Sequence, residues 1–160
     1  MKIKILWTVN YLLISHRGNT DGPNVDLENN PDFIEEKVLP NYNCEVDLRF
    51  NEDEDSLYLG HDFYQYKIDF AWLERNHKKL WIHCKDFEAL NILSKNKKKF
   101  NFFWHENDSF TLTSLGYIWT YPNSNFYEGK SINVNIGQEL AHGKYYGICS
   151  DYVNNLKFVK

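Results

Sequence analysis

The chain has 160 residues, 42% hydrophobic and 17% aromatic, with eleven Tyr, eleven Phe and five Trp. That length makes one domain with a core of its own, and that aromatic content excludes a disordered or low-complexity chain. A formal charge of −4 excludes a surface built as a whole for nucleic acid.

In chain order, the first apolar run, LWTVNYLLISH, reads as a strand that stops at Ser15 and delivers His16 and Arg17 before Gly18. Its basic start suggests a leader, but Asn10 interrupts the apolar run and no small-residue cleavage site follows. NPDFIEEKVLP (30–40) reads as a helix, with Asn30 as N-cap, Pro31 at the first helical position and Pro40 as the stop. NCEVDLRF (43–50) alternates Cys44, Val46, Leu48 and Phe50 with Glu45, Asp47 and Arg49, the period of a strand. The acidic turn NEDED follows, then the short strand SLYLGHD, which runs into His61 and Asp62.

Asp69 caps a helix through DFAWLERNHKK, KLWIHCK (79–85) is a strand, and Asp86 caps the amphipathic helix DFEALNILSKN. NFFWHEN (101–107), LGYIWTYP (115–122) and SINVNI (131–136) read as strands, QELAHG as a short helix closed by Gly143, and YYGICSD (145–151) as the last strand. Strands alternating with helices predict a mostly parallel α/β sheet in one domain over 1–160. KNKKK (95–99) reads as a solvated helix end, and His77 and His142 as partners of helix termini.

Cys44, Cys84 and Cys149 are scattered within apolar stretches, which suits buried thiols and neither a disulfide framework nor a zinc knuckle. No apolar run is long enough to span a bilayer, so the expectation is a cytoplasmic protein without stable membrane insertion.

Polar residues gather where these strands end: His16 and Arg17, Glu45 and Asp47, His83 and Lys85, His105 and Glu106, Ser150 and Asp151. In a parallel barrel such ends share one face, where substrates bind. EVD puts two carboxylates on one side of its strand. On a half-exposed strand that side is solvent; turned into a barrel mouth, the pair needs a cation such as Mg²⁺ or Ca²⁺. His16 and His61, each taken alone, also read as hydrogen-bonded structural histidines.

The ordered series HRG (16–18), EN (28–29), ExD (45–47) and HD (61–62) resembles the glycerophosphodiester phosphodiesterase family, metal-dependent enzymes on the TIM barrel. The match covers about the first third of the chain, with weaker echoes in LWIHCK and GICSDY.

The resemblance implies His16 and His61 as a general acid/base pair and Glu45 and Asp47 as metal ligands. It implies Arg17 and Lys85 as phosphate contacts, Glu28 and Glu106 as further acidic candidates, and a small-molecule phosphodiester as substrate, with no nucleic-acid partner. Trp104, Trp119 and Tyr121 can bound an alcohol or cationic headgroup, or simply pack. Where the family carries a third acidic ligand, this chain has His83, which can take that ligand's place on the metal but suits softer ions better than Mg²⁺. The chain is also short of the roughly 200 to 250 residues of a full barrel, so the expected fold is a trimmed or incomplete TIM barrel with few short helices. A catalytically silent binding module that keeps the phosphate pocket is the competing expectation.

Overall fold

Alternation along Cys44-Glu45-Val46-Asp47-Leu48 assigns the two faces of a single sheet. The computed structural model describes residues 11–122, 127–136 and 143–156. Its ten strands are β1 (Leu12–His16), β2 (Asn43–Asn51), β3 (Ser56–Leu59), β4 (Tyr66–Ile68) and β5 (Leu80–Cys84), then β6 (Phe102–Phe103), β7 (Phe110–Leu112), β8 (Ile118–Thr120), β9 (Gly129–Val134) and β10 (Tyr145–Ser150). The order β6-β5-β2-β1-β10-β9-β8 is parallel throughout, with β7 antiparallel on the β8 edge.

β2 is the hub. Its first half pairs with β1, placing His16 beside Glu45. Further along the same edge it pairs antiparallel with β3, which continues antiparallel into β4. Its other edge pairs with β5, placing Asp47 beside His83.

Cys44, Val46, Leu48, Leu80 and Ile82 face outward and are covered by the helices. These are α1 (Pro31–Phe33), running on into a π-helical turn (Ile34–Val38), α2 (Phe70–Asn76) and α3 (Phe87–Ser94). Each has the cap its sequence foretells: Asn30, Asp69 and Asp86 accept from the backbone N–H of Phe33, Trp72 and Ala89 at 3.0, 2.7 and 2.8 Å. A last turn, α4 (Val153–Leu156), contributes Val153 to the outer core.

The inner face carries Ile14, Trp81, Phe103, Trp119, Ile132, Val134 and Cys149 as one cluster. Trp81 and Trp119 have ring centroids 5.8 Å apart although four strands lie between β5 and β8 in the sheet. Only a strongly curled sheet brings them together.

The expected trimmed TIM barrel is not what forms. The sheet is mixed, since β3, β4 and β7 pair antiparallel. Among the described residues the helices are as few and short as expected, but α1, α2 and α3 all pack in the cluster around β2 and β5 and do not ring the sheet. Among the described residues no ladder joins β6 to β7; Phe102 and Ser114 touch through two hydrogen bonds of 2.8 and 3.0 Å. The architecture is a curled half-barrel. A chain of this length cannot give each strand its own crossover helix, so hairpins replace them. The predicted helix over 138–143, with His142, lies outside the described residues apart from Gly143. Among the described residues, no helix is long and apolar enough to cross a membrane.

Candidate active site

Side chains at the C-terminal ends of β1 and β5, and in the first half of β2 beside them, that point into the curl are polar where the rest of that face is apolar. His16, Glu45, Asp47 and His83 meet there because the registers place them side by side. Glu45 is 2% exposed and Asp47 fully buried. Removing two carboxylates from water costs several kcal/mol per ion unless positive charge compensates them. The neighbours supply it.

Asp47 Oδ2 lies 3.0 Å from Arg17 Nε and accepts from Asn29 Nδ2 at 3.0 Å. The arginine contact is an ion pair whose N–H points off line, so Nε makes no hydrogen bond. Asp47 Oδ1 lies 3.4 Å from His83 Nδ1 and 3.7 Å from Lys85 Nζ, again without a hydrogen bond. Burial would push the Asp47 carboxyl up, but His83, Arg17 and Lys85 hold it well below the usual range. Glu45 goes the other way, raised by burial and by the Asp47 charge.

Glu45 and Asp47 differ in how they are held. Glu45 Oε2 accepts from the Arg17 backbone N–H at 3.2 Å and lies 4.0 Å from His16 Nε2, while Oε1 is 3.9 Å from His83 Nδ1. Asp47 is clamped by Asn29, whose amide oxygen also accepts from the Asp47 N–H at 2.9 Å. Asn29 sits at φ +61°, a left-handed conformation that asparagine tolerates better than most residues.

His16 Nδ1 is 2.8 Å from Asp151 Oδ1. Burial works against an imidazolium there, but the Asp151 hydrogen bond and the Glu45 charge prevail and raise the His16 pKa above its ordinary value. Asn19 Nδ2 ties Asp151 to Glu28 at 2.8 and 2.9 Å, and Glu28 takes the Arg17 guanidinium at 3.3 Å. Glu28 and Arg17 therefore serve the buried network.

His61 arrives by a different route from the one its sequence suggests. The β2–β3 hairpin folds it back, with Gly60 N–H donating to the Asp47 carbonyl at 3.0 Å. Gly60 has φ +154°, and a Cβ there would lie 2.1 Å from the Phe63 carbonyl oxygen, so only glycine fits. Arg49 donates to the carbonyls of Gly60 and His61, holding the loop. His61 Nδ1 is 2.7 Å from Asp62 Oδ1, and partial burial lowers its pKa.

A cleft of about 360 Å³ opens over these groups, with His16, His61, Lys85, Trp104, Glu106 and Tyr121 among its walls. Trp104 is 45% exposed and available to a ligand, whereas Trp119 is 3% exposed and packs on Phe103 with centroids 4.6 Å apart. His105 is buried against His83 and Tyr121, and burial together with His83 and Lys85 lowers its pKa to about 4.

Glu45, Asp47 and His83 each offer one ligand atom, all within 4.8 Å of one another, so the group can hold a metal ion. Asp47 Oδ1, buried and without a hydrogen bond, fits that use. Sequence reasoning did not nominate Asn29, Asn19 and Asp151 as site residues. Asn29 stands next to a nominated glutamate in the EN pair, and Asp151 ends the last strand, so position carried a signal; Asn19 carried none. Compared with protein-family models, curated proteins and solved structures, the chain matches none of them.

Proposed function

We propose that the chain is a metal-dependent phosphodiesterase that cleaves a glycerophosphodiester or related small phosphodiester. One observation carries this reading: two histidines in one cleft, each with Nδ1 on an aspartate, stand beside a buried carboxylate pair. An aspartate on Nδ1 fixes the tautomer and leaves Nε2 for proton transfer. Glu45, Asp47 and His83 would hold a divalent cation, and the two carboxylates taken by themselves suit Mg²⁺ or Ca²⁺. Such an ion neutralises phosphate charge.

In this scheme a hydroxyl of the substrate attacks phosphorus while one histidine takes its proton. The bond from phosphorus to the departing alcohol breaks, and the other histidine protonates that oxygen. The products are a cyclic phosphate and a free alcohol; water can then open the ring by the same proton transfers. No nucleophile from the protein is required. Arg17 and Lys85 both line the cleft beside Asp47, but Arg17 is also tied to Glu28, so Lys85 would be the freer of the two to contact a phosphate. Trp104 bounds the alcohol substituent.

A phosphate-binding module without turnover is the second reading, favoured by His83 standing in the metal group in place of a third carboxylate. Phosphorus NMR separates the two. The protein is incubated with glycerophosphodiesters and lysophospholipids, with divalent metal and again with chelator. Metal-dependent loss of the diester signal is the expected result, and its shift distinguishes cyclic phosphate from monoester. Ligand broadening without conversion in any sample would leave the binding module.

A further inference from the structure

The third ligand of the metal group differs in kind from the other two. Its imidazole is fixed before any ion arrives. His83 Nε2 lies 3.2 Å from the His105 carbonyl oxygen, which only accepts, so Nε2 carries the proton. The lone pair of a neutral His83 is then on Nδ1. That atom faces Asp47 Oδ1 at 3.4 Å and Glu45 Oε1 at 3.9 Å. With His83 neutral, as a metal ligand must be, three electron-rich atoms converge, and Asp47 Oδ1 has no hydrogen bond although its residue is fully buried.

The ring cannot easily swing away. It stacks on Phe103 with centroids 5.0 Å apart at 16°, and rests on His105 at 5.1 Å. Asn29 holds the other Asp47 oxygen, which aims Oδ1 at the same point. A backbone carbonyl on the far nitrogen of a histidine is the usual support for an imidazole ligand.

We propose that the Glu45–Asp47–His83 site prefers a borderline divalent transition ion, of the Mn²⁺ to Zn²⁺ series, over Mg²⁺ and Ca²⁺, because His83 presents it with a locked imidazole nitrogen. This rests on the metal-site half of the proposed function and not on its phosphodiester chemistry. Imidazole suits Zn²⁺ and the later transition ions better than it suits the hard cations, with Mn²⁺ lowest in the series and nearest to Mg²⁺ and Ca²⁺ in its taste for carboxylate. Calcium takes six to eight oxygens at about 2.3–2.6 Å, and this group brings three protein donors, one of them nitrogen.

The test uses the full chain stripped with chelator and titrated calorimetrically with Mn²⁺, Co²⁺, Zn²⁺, Mg²⁺ and Ca²⁺, without substrate. The expected result is tighter binding of the three transition ions, with the Co²⁺ to Mg²⁺ affinity ratio falling by roughly tenfold or more in His83→Glu. The variant matters, because carboxylate sites also follow the general order of transition-ion affinity. Equal binding of Mg²⁺ and Co²⁺, or an unchanged ratio in His83→Glu, overturns the proposal. Should His83→Glu fail to fold, nitrogen NMR of histidine-labelled wild type with Zn²⁺ decides instead. A shift at His83 Nδ1 supports the proposal, and an unshifted Nδ1 overturns it. Tight Co²⁺ binding without phosphodiester turnover would refute the enzyme and leave this inference standing. Turnover with Mg²⁺ and equal affinities would do the reverse.

Discussion

Asn29→Ala removes both halves of the clamp on Asp47. The carboxylate loses a donor at 3.0 Å, a hydrogen bond to a charged group worth about 1.5–3 kcal/mol. The Asp47 N–H loses its acceptor at 2.9 Å within a fully buried residue, for roughly another 1 kcal/mol or more. Alanine at φ +61° adds about 1 kcal/mol of backbone strain. The sum is about 3–5 kcal/mol, because losses that share one partner do not add fully. For a domain of this size that is a fall in Tm of about 10 °C. Thermal unfolding by circular dichroism, in chelator, reads it directly. Asn29→Gly relieves the backbone strain, and should recover about 1 kcal/mol of the loss. A fall of less than about 3 °C for Asn29→Ala would refute the reasoning, since it would mean that Asp47 needs no clamp.

Two other predictions concern the sheet and the cleft. Gly147→Ala places a Cβ 2.7 Å from the Leu12 carbonyl oxygen and 2.9 Å from Ile132 Cδ1, so it should destabilise by about 1–3 kcal/mol; urea unfolding checks this. His105 should titrate by proton NMR near 4 instead of 6.5. Its folded pKa lies below its unfolded one, so the unfolded chain binds more protons between those values. The stability it contributes is complete above about pH 6.5 and is lost as the pH falls towards 4. A midpoint near 6.5 would contradict the burial assigned to it.

The local signals in the sequence read well where a side chain bonds to its own neighbourhood. Asn30, Asp69 and Asp86 cap the helices they precede, because an N-cap is decided within a few residues. The EVD alternation likewise marks β2. What the sequence hides is pairing. β4 and β7 are three residues long and owe their extended form to partners that lie elsewhere in the chain. SLYL reads equally as a parallel or an antiparallel strand, and only the hairpin geometry sends His61 back to the level of Asp47.

The barrel expectation failed for the same reason. Strand and helix alternate in the first two thirds except through β2, β3 and β4, and no helix lies between β6 and β9 among the described residues. In the site, titratable residues were legible from their order along the chain. Asn29 was marked only by its place in the EN pair and Asn19 by nothing, because an asparagine that orients a buried carboxylate looks in sequence like any turn asparagine.

The most direct test of the central claim is His61→Ala, measured by phosphorus NMR beside wild type. His61 sits on a partly exposed loop and has no place in the core. Tm and metal affinity should be unchanged, with metal-dependent loss of the diester signal in wild type and none in the variant. Diester cleavage by His61→Ala at the wild-type rate would contradict it.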